Sequence, residues 1–266
     1  KKMVARLSYL SDNYIHHMKI RLLSLNCQRA LNPNFKSFFQ RVLSRGKHRI
    51  FLLQEASDSV INVAKKNLEK YKMIQHKTPN GNFSELCILY SKKLHCVESD
   101  FLYIEDNEGK NFGILMATFR SKRFSLSTAN VHLPAHLKPQ KRSEAMEQVK
   151  EKFIAFLKKH PQTTRVILAG DFNSILPGEY NHHKSILASF LSPVRNRRSY
   201  TYVSDRLEPT DFLSKLIYWL GKIGISFKTS LDYVFANHVL VKRKRVKARS
   251  QKKNISDHLP ILIEVR

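Results

Sequence analysis

Short apolar runs bordered by polar side chains are the feature that most constrains the fold of this chain. Runs such as residues 50–53 and 166–169 have the length and composition of buried strands. Six of them adjoin polar residues, in chain order Asn26, Glu55, Asn130 and His132, Asp171 and Asn173, Asp232, and Asp257 and His258. A single Asp or Asn at a strand end often only makes a turn. Six such runs in chain order predict a sheet in which polar side chains from several strand ends lie close together at one edge.

Amphipathic helices are predicted between these strands. Apolar residues recur at helical spacing over residues 34–45, 59–70, 143–159 and 182–191. Strands that alternate with helices indicate an α/β fold in which mixed sheets are covered by helices. The chain has 266 residues, which suits one core. We therefore expect residues 1–18 to be an N-terminal extension and residues 19–266 to be a single domain.

The charge balance indicates a polyanionic partner. The chain has 47 Lys and Arg against 21 Asp and Glu, a formal net charge of +26. Such a charge favours binding to nucleic acid, or to an anionic membrane surface. A general enrichment in lysine, with the charges spread over a solvated surface, is the alternative. No protein partner is indicated, and we expect a monomer.

Localisation is left open by the sequence. No apolar run approaches the roughly 18 residues that a membrane-spanning helix needs. The cysteines are Cys27, Cys87 and Cys96, and the first two lie in or beside apolar strands. We expect them to be reduced core residues, which mildly favours a reducing compartment.

The polar residues at the strand ends are the parts of a metal-assisted phosphate-ester hydrolase. Carboxylates can hold a cation, and a nearby base can make water attack phosphorus. The chain has no Gly-rich phosphate loop, no dinucleotide fingerprint and no pattern of a Ser-His-Asp hydrolase.

The motifs themselves resemble a known family. Gly-Asp-Phe-Asn at 170–173 and Ser-Asp-His-Leu-Pro at 256–260 are the most specific, supported by Leu-Gln-Glu at 53–55 and Leu-Asp-Tyr at 231–233. They resemble the endonuclease/exonuclease/phosphatase superfamily, and the resemblance extends from about Lys19 to Arg266. It implies a DNase I-like four-layer α/β sandwich, with two packed mixed β-sheets flanked by helices. It also implies a metal-dependent phosphoric-ester hydrolase.

The resemblance implies a metal site centred on Glu55. Asn26 and Asp257 complete or support the ligand shell in that interpretation. Mg²⁺ is the expected cation, with Mn²⁺ possible, because hard cations take oxygen ligands and keep several waters.

Catalytic roles follow from the same resemblance. Asp171 orients or deprotonates the attacking water, and Asn173 holds that water or a phosphate oxygen. His258 contacts the scissile phosphate as a cation or acts as general base. Asp232 bonds the other imidazole nitrogen and fixes the tautomer of His258.

Further contacts with the substrate are expected around these groups. His132 and Asn130 stabilise charge on the phosphate or protonate the leaving oxygen, and Arg198 and Tyr200 supply phosphate and base contacts. The basic run Lys242–Lys253 is expected beside the catalytic mouth as a guide for anions. Its alternative role is to protect a sheet edge. Residues 210–224 are expected to form a helix, either a core element or a lid.

Three functions are consistent with the sequence: two classes of hydrolase and one class of binding protein. A phosphodiesterase acting on DNA or RNA is favoured by the charge. A phospholipid-directed enzyme, a sphingomyelinase or phosphoinositide phosphatase, is the alternative, because Asn-Val-His-Leu-Pro-Ala-His at 130–136 resembles a 5-phosphatase segment. The Trp-x-Gly-Asp-Leu-Asn form typical of 5-phosphatases is absent, however. A non-catalytic basic module is the least favoured, since the set of polar residues is complete.

Overall fold

Two six-stranded sheets pack face to face. The structure is a computed structural model, which describes residues 19–28, 32–82, 84–105, 111–121, 124–134, 139–174, 178–195, 202–203, 228–229, 231–250 and 258–266. The first sheet has the order β13-β14-β1-β2-β4-β3. Its strands are β1 (Ile20–Asn26), β2 (Ile50–Gln54), β3 (Tyr71–Ile74), β4 (Cys87–Ser91), β13 (Val246–Ser250) and β14 (Ile261–Val265).

The second sheet has the order β5-β6-β7-β8-β12-β9. Its strands are β5 (His95–Glu105), β6 (Asn111–Ser121), β7 (Phe124–His132), β8 (Arg165–Asp171), β9 (Leu191–Pro193) and β12 (Asp232–Asn237). Two further short strands, β10 (Tyr202–Val203) and β11 (Lys228–Thr229), pair with each other.

Five helices are described, and their bounds refine the sequence predictions. They are α1 (Pro33–Ser44), α2 (Asp58–Lys65), α3 (Pro139–Lys158), α4 (Glu179–Leu187) and α5 (His238–Lys242). The chain forms turns after Lys65, so the helix predicted to residue 70 is shorter. Helix α4 also differs, because it begins after Gly178, at φ 89°, and Leu191 already starts β9.

Apolar side chains from both sheets fill the space between them. Leu22 and Ile88 of the first sheet share one cluster with Leu126 and Ile167 of the second. Separate clusters lie on the outer faces, where α1 and α2 cover the first sheet and α3 and α4 cover the second. The predicted four-layer arrangement, two mixed sheets flanked by helices, is confirmed.

The topology gathers polar side chains at one edge of the sandwich. Each sheet contains a central parallel pair, β1 with β2 and β7 with β8. Asn26 lies opposite Gln54 at the carboxyl end of the first pair, and His132 lies opposite Asp171 at that of the second. Asp171 is also opposite Asp232 of β12. Carboxyl ends of parallel strands are the usual place for a ligand in such sheets.

The basic run Lys242–Lys253 is only partly where the sequence predicted it. Its first residues end α5 and lie at the end of the sheet opposite the site, where Val246 is paired with Val265. Strand β13 then runs along the sheet edge toward the catalytic end. The expectation that the whole run lies beside the mouth is therefore wrong for residues 242–246, because an edge strand separates them from it.

Several predictions concern residues outside the described ranges. These are Asp257, Arg198, Tyr200, the helix expected at 210–224, the last residues of the basic run at 251–253, and the extension at 1–18. Among the described helices, none has the length and apolar character needed to cross a membrane.

Candidate active site

Two carboxylates converge on one amide at the carboxyl ends of β1, β2 and β8. The Asn26 Nδ2 group donates to Glu55 Oε1 at 2.9 Å and to Asp171 Oδ2 at 3.0 Å. The backbone N–H of Gln28 donates to Asn26 Oδ1 at 2.9 Å. Because that bond occupies the carbonyl oxygen, the NH₂ group of Asn26 must face the two acids. Asn26 therefore holds together side chains from both sheets.

The backbone at these strand ends is strained. Gln28, Glu55 and Asn173 have φ of 45°, 50° and 46°, the left-handed region that side chains other than glycine rarely adopt. Each such residue costs on the order of 1–3 kcal/mol, and it persists only where the surrounding structure fixes it. All three lie within two residues of a strand that ends at the site. The strain turns the chain sharply and points Glu55 toward Asp171.

His258 lies between Asp232, to which it is hydrogen-bonded, and Asp171. His258 Nδ1 lies 2.8 Å from Asp232 Oδ2, and since a carboxylate can only accept, Nδ1 carries the proton. His258 Nε2 lies 3.6 Å from Asp171 Oδ2. This arrangement fixes the imidazole tautomer and directs Nε2 into the site.

Among the described acids of the site, Asp171 is the most deeply buried, with 1% of its surface exposed. Burial raises the pKa of its carboxyl to about 7, while the nearby His258 acts in the opposite direction. Its Oδ1 accepts the backbone N–H of Asn173 at 2.9 Å. A carboxylate with a raised pKa is a stronger proton acceptor than an ordinary one.

His132 closes the site from the β7 side. Its Nε2 lies 3.8 Å from Glu55 Oε1 and 4.0 Å from Asp171 Oδ2, too far for hydrogen bonds. Next to His132, the backbone of β7 approaches Gly170 so closely that an added Cβ would lie 2.0 Å from Val131 O. Glycine is therefore required in the Gly-Asp-Phe-Asn motif at this position.

Side-chain hydrogen bonds fix the loop that follows Asp171. The Asn173 side-chain NH₂ donates to Leu133 O at 2.6 Å, and Ser174 Oγ lies 3.0 Å from His183 Nδ1. Burial lowers the pKa of His183 to about 4, and the nearby Glu179 opposes that shift. His183 is buried, with 1% of its surface exposed. His183, Ile186 and Leu187 follow helical spacing, and that periodicity could have revealed its buried position.

Asn130 does not reach the site, which corrects the prediction that it contacts substrate. Its side chain is fully buried between the sheets. The NH₂ group donates to Leu53 O at 2.8 Å and to Cys87 O at 3.2 Å, and its carbonyl accepts from Gln54 Nε2. Its hydrogen bonds are thus used to join the two sheets beneath Glu55. Gln54, which sequence reasoning did not select, belongs to the same bridge.

The donor atoms suit a hard divalent cation. Among the described residues, ligand atoms of Glu55, His132 and Asp171 lie within 4.8 Å of one another, as do those of Asp171, Asp232 and His258. In the first group the two carboxylate oxygens already converge on one Asn26 nitrogen. Oxygen ligands of this kind fit Mg²⁺ or Mn²⁺ better than a thiolate-binding metal. Cys27 and Cys87 are buried free thiols, as expected, and Cys96 is a partly buried free thiol.

Comparison with known proteins agrees with this geometry. The model of the endonuclease/exonuclease/phosphatase family matches residues 23–258. The chain belongs to this family. It is therefore a phosphoric-ester hydrolase, and its relatives use divalent metals. No curated protein sequence matches the chain significantly.

Solved structures with the same fold differ in what they bind. D. rerio TDP2 complexed with a single-strand DNA product has a TM-score of 0.68 and 18% identity, and covers 94% of this chain and 100% of its own. Beta toxin from Staphylococcus aureus has a TM-score of 0.68 and 14% identity, and the match covers 93% of this chain and 100% of the toxin chain. A mannosyl-6-phosphatase from Bacteroides thetaiotaomicron has a TM-score of 0.68 and 17% identity, and the match covers 93% of this chain and 99% of the phosphatase chain. At these identities the likeness shows the fold alone.

Proposed function

We propose that this protein is a Mg²⁺- or Mn²⁺-dependent phosphodiesterase that hydrolyses nucleic acid, DNA or RNA. The observation that carries the proposal is the convergence of Glu55, Asp171 and His258 at one edge of the sandwich, in a chain that is strongly basic as a whole. The net charge of +26 favours a polyanionic substrate. The single-strand DNA product held by the D. rerio TDP2 structure supports the same substrate class.

In this proposal Glu55 holds the cation and Asp257 completes the ligand shell, while Asn26 supports it by donating its NH₂ group to Glu55 and Asp171. The cation, when bound, supplies positive charge that neutralises phosphoryl oxygens. Glu55 suits the role because its side chain is 27% exposed, and so remains open to a ligand, whereas Asp171 is enclosed. Asn26 contributes by fixing the distance between the two acids.

Asp171 accepts a proton from the attacking water, and its raised pKa makes it a competent base. Asn173 positions that water, since its backbone N–H is anchored on Asp171 Oδ1. The water oxygen bonds to phosphorus in line with the leaving oxygen as the ester bond breaks. In-line attack gains mainly from positioning and charge neutralisation of this kind.

The histidines act on the phosphate. His258, in its cationic form, donates from Nε2 to a phosphoryl oxygen, while Asp232 accepts from the opposite nitrogen at 2.8 Å. His132, on the other side of the site, gives a proton to the leaving oxygen. Outside the described ranges, Arg198 and Tyr200 are assigned to contacts with the rest of the substrate. The protein acts as a monomer in this proposal.

A panel of substrates tests the proposal. Purified protein with Mg²⁺ or Mn²⁺ is assayed on single-stranded DNA, plasmid DNA, RNA, sphingomyelin and inositol phosphates. We expect release from the nucleic acids, loss of activity in excess EDTA, and strong impairment of Glu55→Gln. Glu147→Gln is the matched control, because Glu147 lies on α3 in an ion pair with Lys150. Hydrolysis of sphingomyelin or inositol phosphates alone would replace the nuclease assignment with the lipid-directed one.

A further inference from the structure

The outer face of the β13 edge carries cations that the catalytic site does not use. Along β13 the residues alternate between buried and exposed, so Lys247 and Arg249 share the solvent side. Val246 and Ala248 point the other way, into the core between the sheets. The face continues onto β14, where Lys247 lies opposite Glu264 and Arg249 opposite Leu262. Those four residues line a shallow depression of about 120 Å³.

The charges in this depression are not balanced. Glu264 is the only acidic residue in the segments 19–28, 238–250 and 261–266, whose other charged residues are all Lys or Arg. Its carboxylate is taken by Lys19 at 2.5 Å and Arg21 at 3.1 Å. Within the described part of the chain, Lys247 and Arg249 make no ion pair. Two exposed, uncompensated cations in a concave surface are a place where an anion can bind.

The register of the sheet places this depression at a definite distance from the site. Arg249 shares a row with Leu23 of β1, three residues before Asn26, and Lys247 shares a row with Arg21, five residues before it. With about 3.3 Å per residue and about 4.8 Å between strands, Arg249 lies about 14 Å from Asn26 and Lys247 about 19 Å. At 3.4 Å per nucleotide in a stacked strand, these distances correspond to about 4 to about 6 nucleotides.

We propose that Lys247 and Arg249 form a remote binding site for the phosphate backbone of a nucleic acid whose scissile bond lies at Asp171. This inference rests on the proposed function. A linear polyanion fits better than a lipid surface, because the two cations follow one strand that leads toward the catalytic end. The apolar floor at Leu262 can contact a sugar. The site adds affinity for long substrates and takes no part in the chemistry.

Binding is measured by fluorescence anisotropy with labelled single-stranded oligonucleotides in EDTA, so that no turnover is required. The test variant is Lys247→Gln/Arg249→Gln, and the matched control is Lys65→Gln/Lys66→Gln, which removes the same charge from the exposed end of α2. Each phosphate contact contributes about 0.7 to the slope of log affinity against log salt on single strands. For an oligonucleotide of about 20 nucleotides, the slope of the test variant should therefore be shallower than that of wild type by about 1.4. For an oligonucleotide of about 3 nucleotides, which is too short to reach both sites, the slope should change little.

A second variant gives an effect of opposite sign. Glu264→Gln removes the one acidic group of the face and frees Lys19 and Arg21, so it should tighten binding of the long oligonucleotide. An unchanged salt slope in the Lys247/Arg249 variant, or the same loss in the Lys65/Lys66 control, would overturn the inference. Loss of binding to phosphatidylserine vesicles, with binding to DNA unaltered, would also overturn it in favour of a membrane.

These outcomes separate the inference from the proposed function. A protein that binds long oligonucleotides through Lys247 and Arg249 but cleaves none of them supports the remote site and contradicts the nuclease assignment. A protein that cleaves DNA, with a salt slope that the variant leaves unchanged, keeps the assignment and refutes the remote site.

Discussion

Asn130 provides a sharp test of which polar residues hold the fold and which touch substrate. Replacing Asn130 with Ala removes three hydrogen bonds, to Leu53 O, Cys87 O and Gln54. At about 1 kcal/mol each, their loss lowers the free energy of unfolding by about 3 kcal/mol. The partners left unsatisfied between the sheets add to that figure. For a protein of this size the melting temperature should fall by about 6–12 °C.

The assay compares denaturant unfolding of wild type, Asn130→Ala and a control, Asn62→Ala, whose side chain is exposed on α2. Asn130→Asp is informative as well, because it would place a carboxylate against two carbonyl oxygens and should destabilise at least as much. If Asn130→Ala loses less than about 1 kcal/mol while KM for nucleic acid rises, the interpretation of Asn130 as a bridge between the sheets fails. The residue would then contact substrate, as the sequence first suggested.

Two further predictions concern histidines. Asp232→Asn and His258→Ala should each remove most of the turnover and the double variant little more, because coupled groups are non-additive; multiplicative losses in single-turnover rates would disprove the coupling. His183, with its pKa lowered to about 4, stays neutral in the folded protein while the unfolded chain takes up a proton below about pH 6.5. Stability should therefore fall between about pH 6.5 and pH 4, by at most about 3 kcal/mol from this residue. His183→Gln should flatten that part of the unfolding profile, and an equally steep profile in the variant would contradict the assignment.

Much of the fold could be predicted because strand-length apolar runs are a local signal. Most of the polar residues that adjoin those runs meet at one edge, where the central parallel strands of each sheet end: Asn26, Glu55, His132, Asp171, Asp232 and His258. That arrangement follows from α/β chain order, without knowledge of tertiary contacts. The family motifs supplied the remaining information, namely which of these residues share one site.

Depth within the sandwich could not be predicted in the same way. Asn130 and His132 are two residues apart on β7, so they point to the same side of the sheet. Whether such a residue reaches the site or the space between the sheets depends on where the facing strands end. Asn130 lies one step deeper and meets Leu53 and Cys87 of the other sheet. No local pattern in the sequence contains that information.

The backbone strain at Glu55 and Asn173 was equally hidden. Glutamate rarely adopts φ near 50°, so propensity gives no signal for the sharp turn that brings Glu55 to Asn26. The buried position of His183, in contrast, follows from helical periodicity, because His183, Ile186 and Leu187 lie on one face of α4. The basic run was seen correctly as a charge feature, but its course along a sheet edge depends on pairing with β14.

The central claim is that Asp171 activates water to cleave a nucleic acid backbone, and one rate measurement tests it most directly. The initial rate at which a fluorescent oligonucleotide is cleaved in the presence of Mg²⁺ is compared between wild type and Asp171→Asn. Unfolding curves establish that both proteins are folded. Loss of the general base should slow cleavage by about 10²–10⁴-fold. Equal rates in the two proteins would contradict the role of Asp171. A wild-type enzyme that leaves the oligonucleotide intact while hydrolysing another phosphate ester would contradict the nuclease assignment.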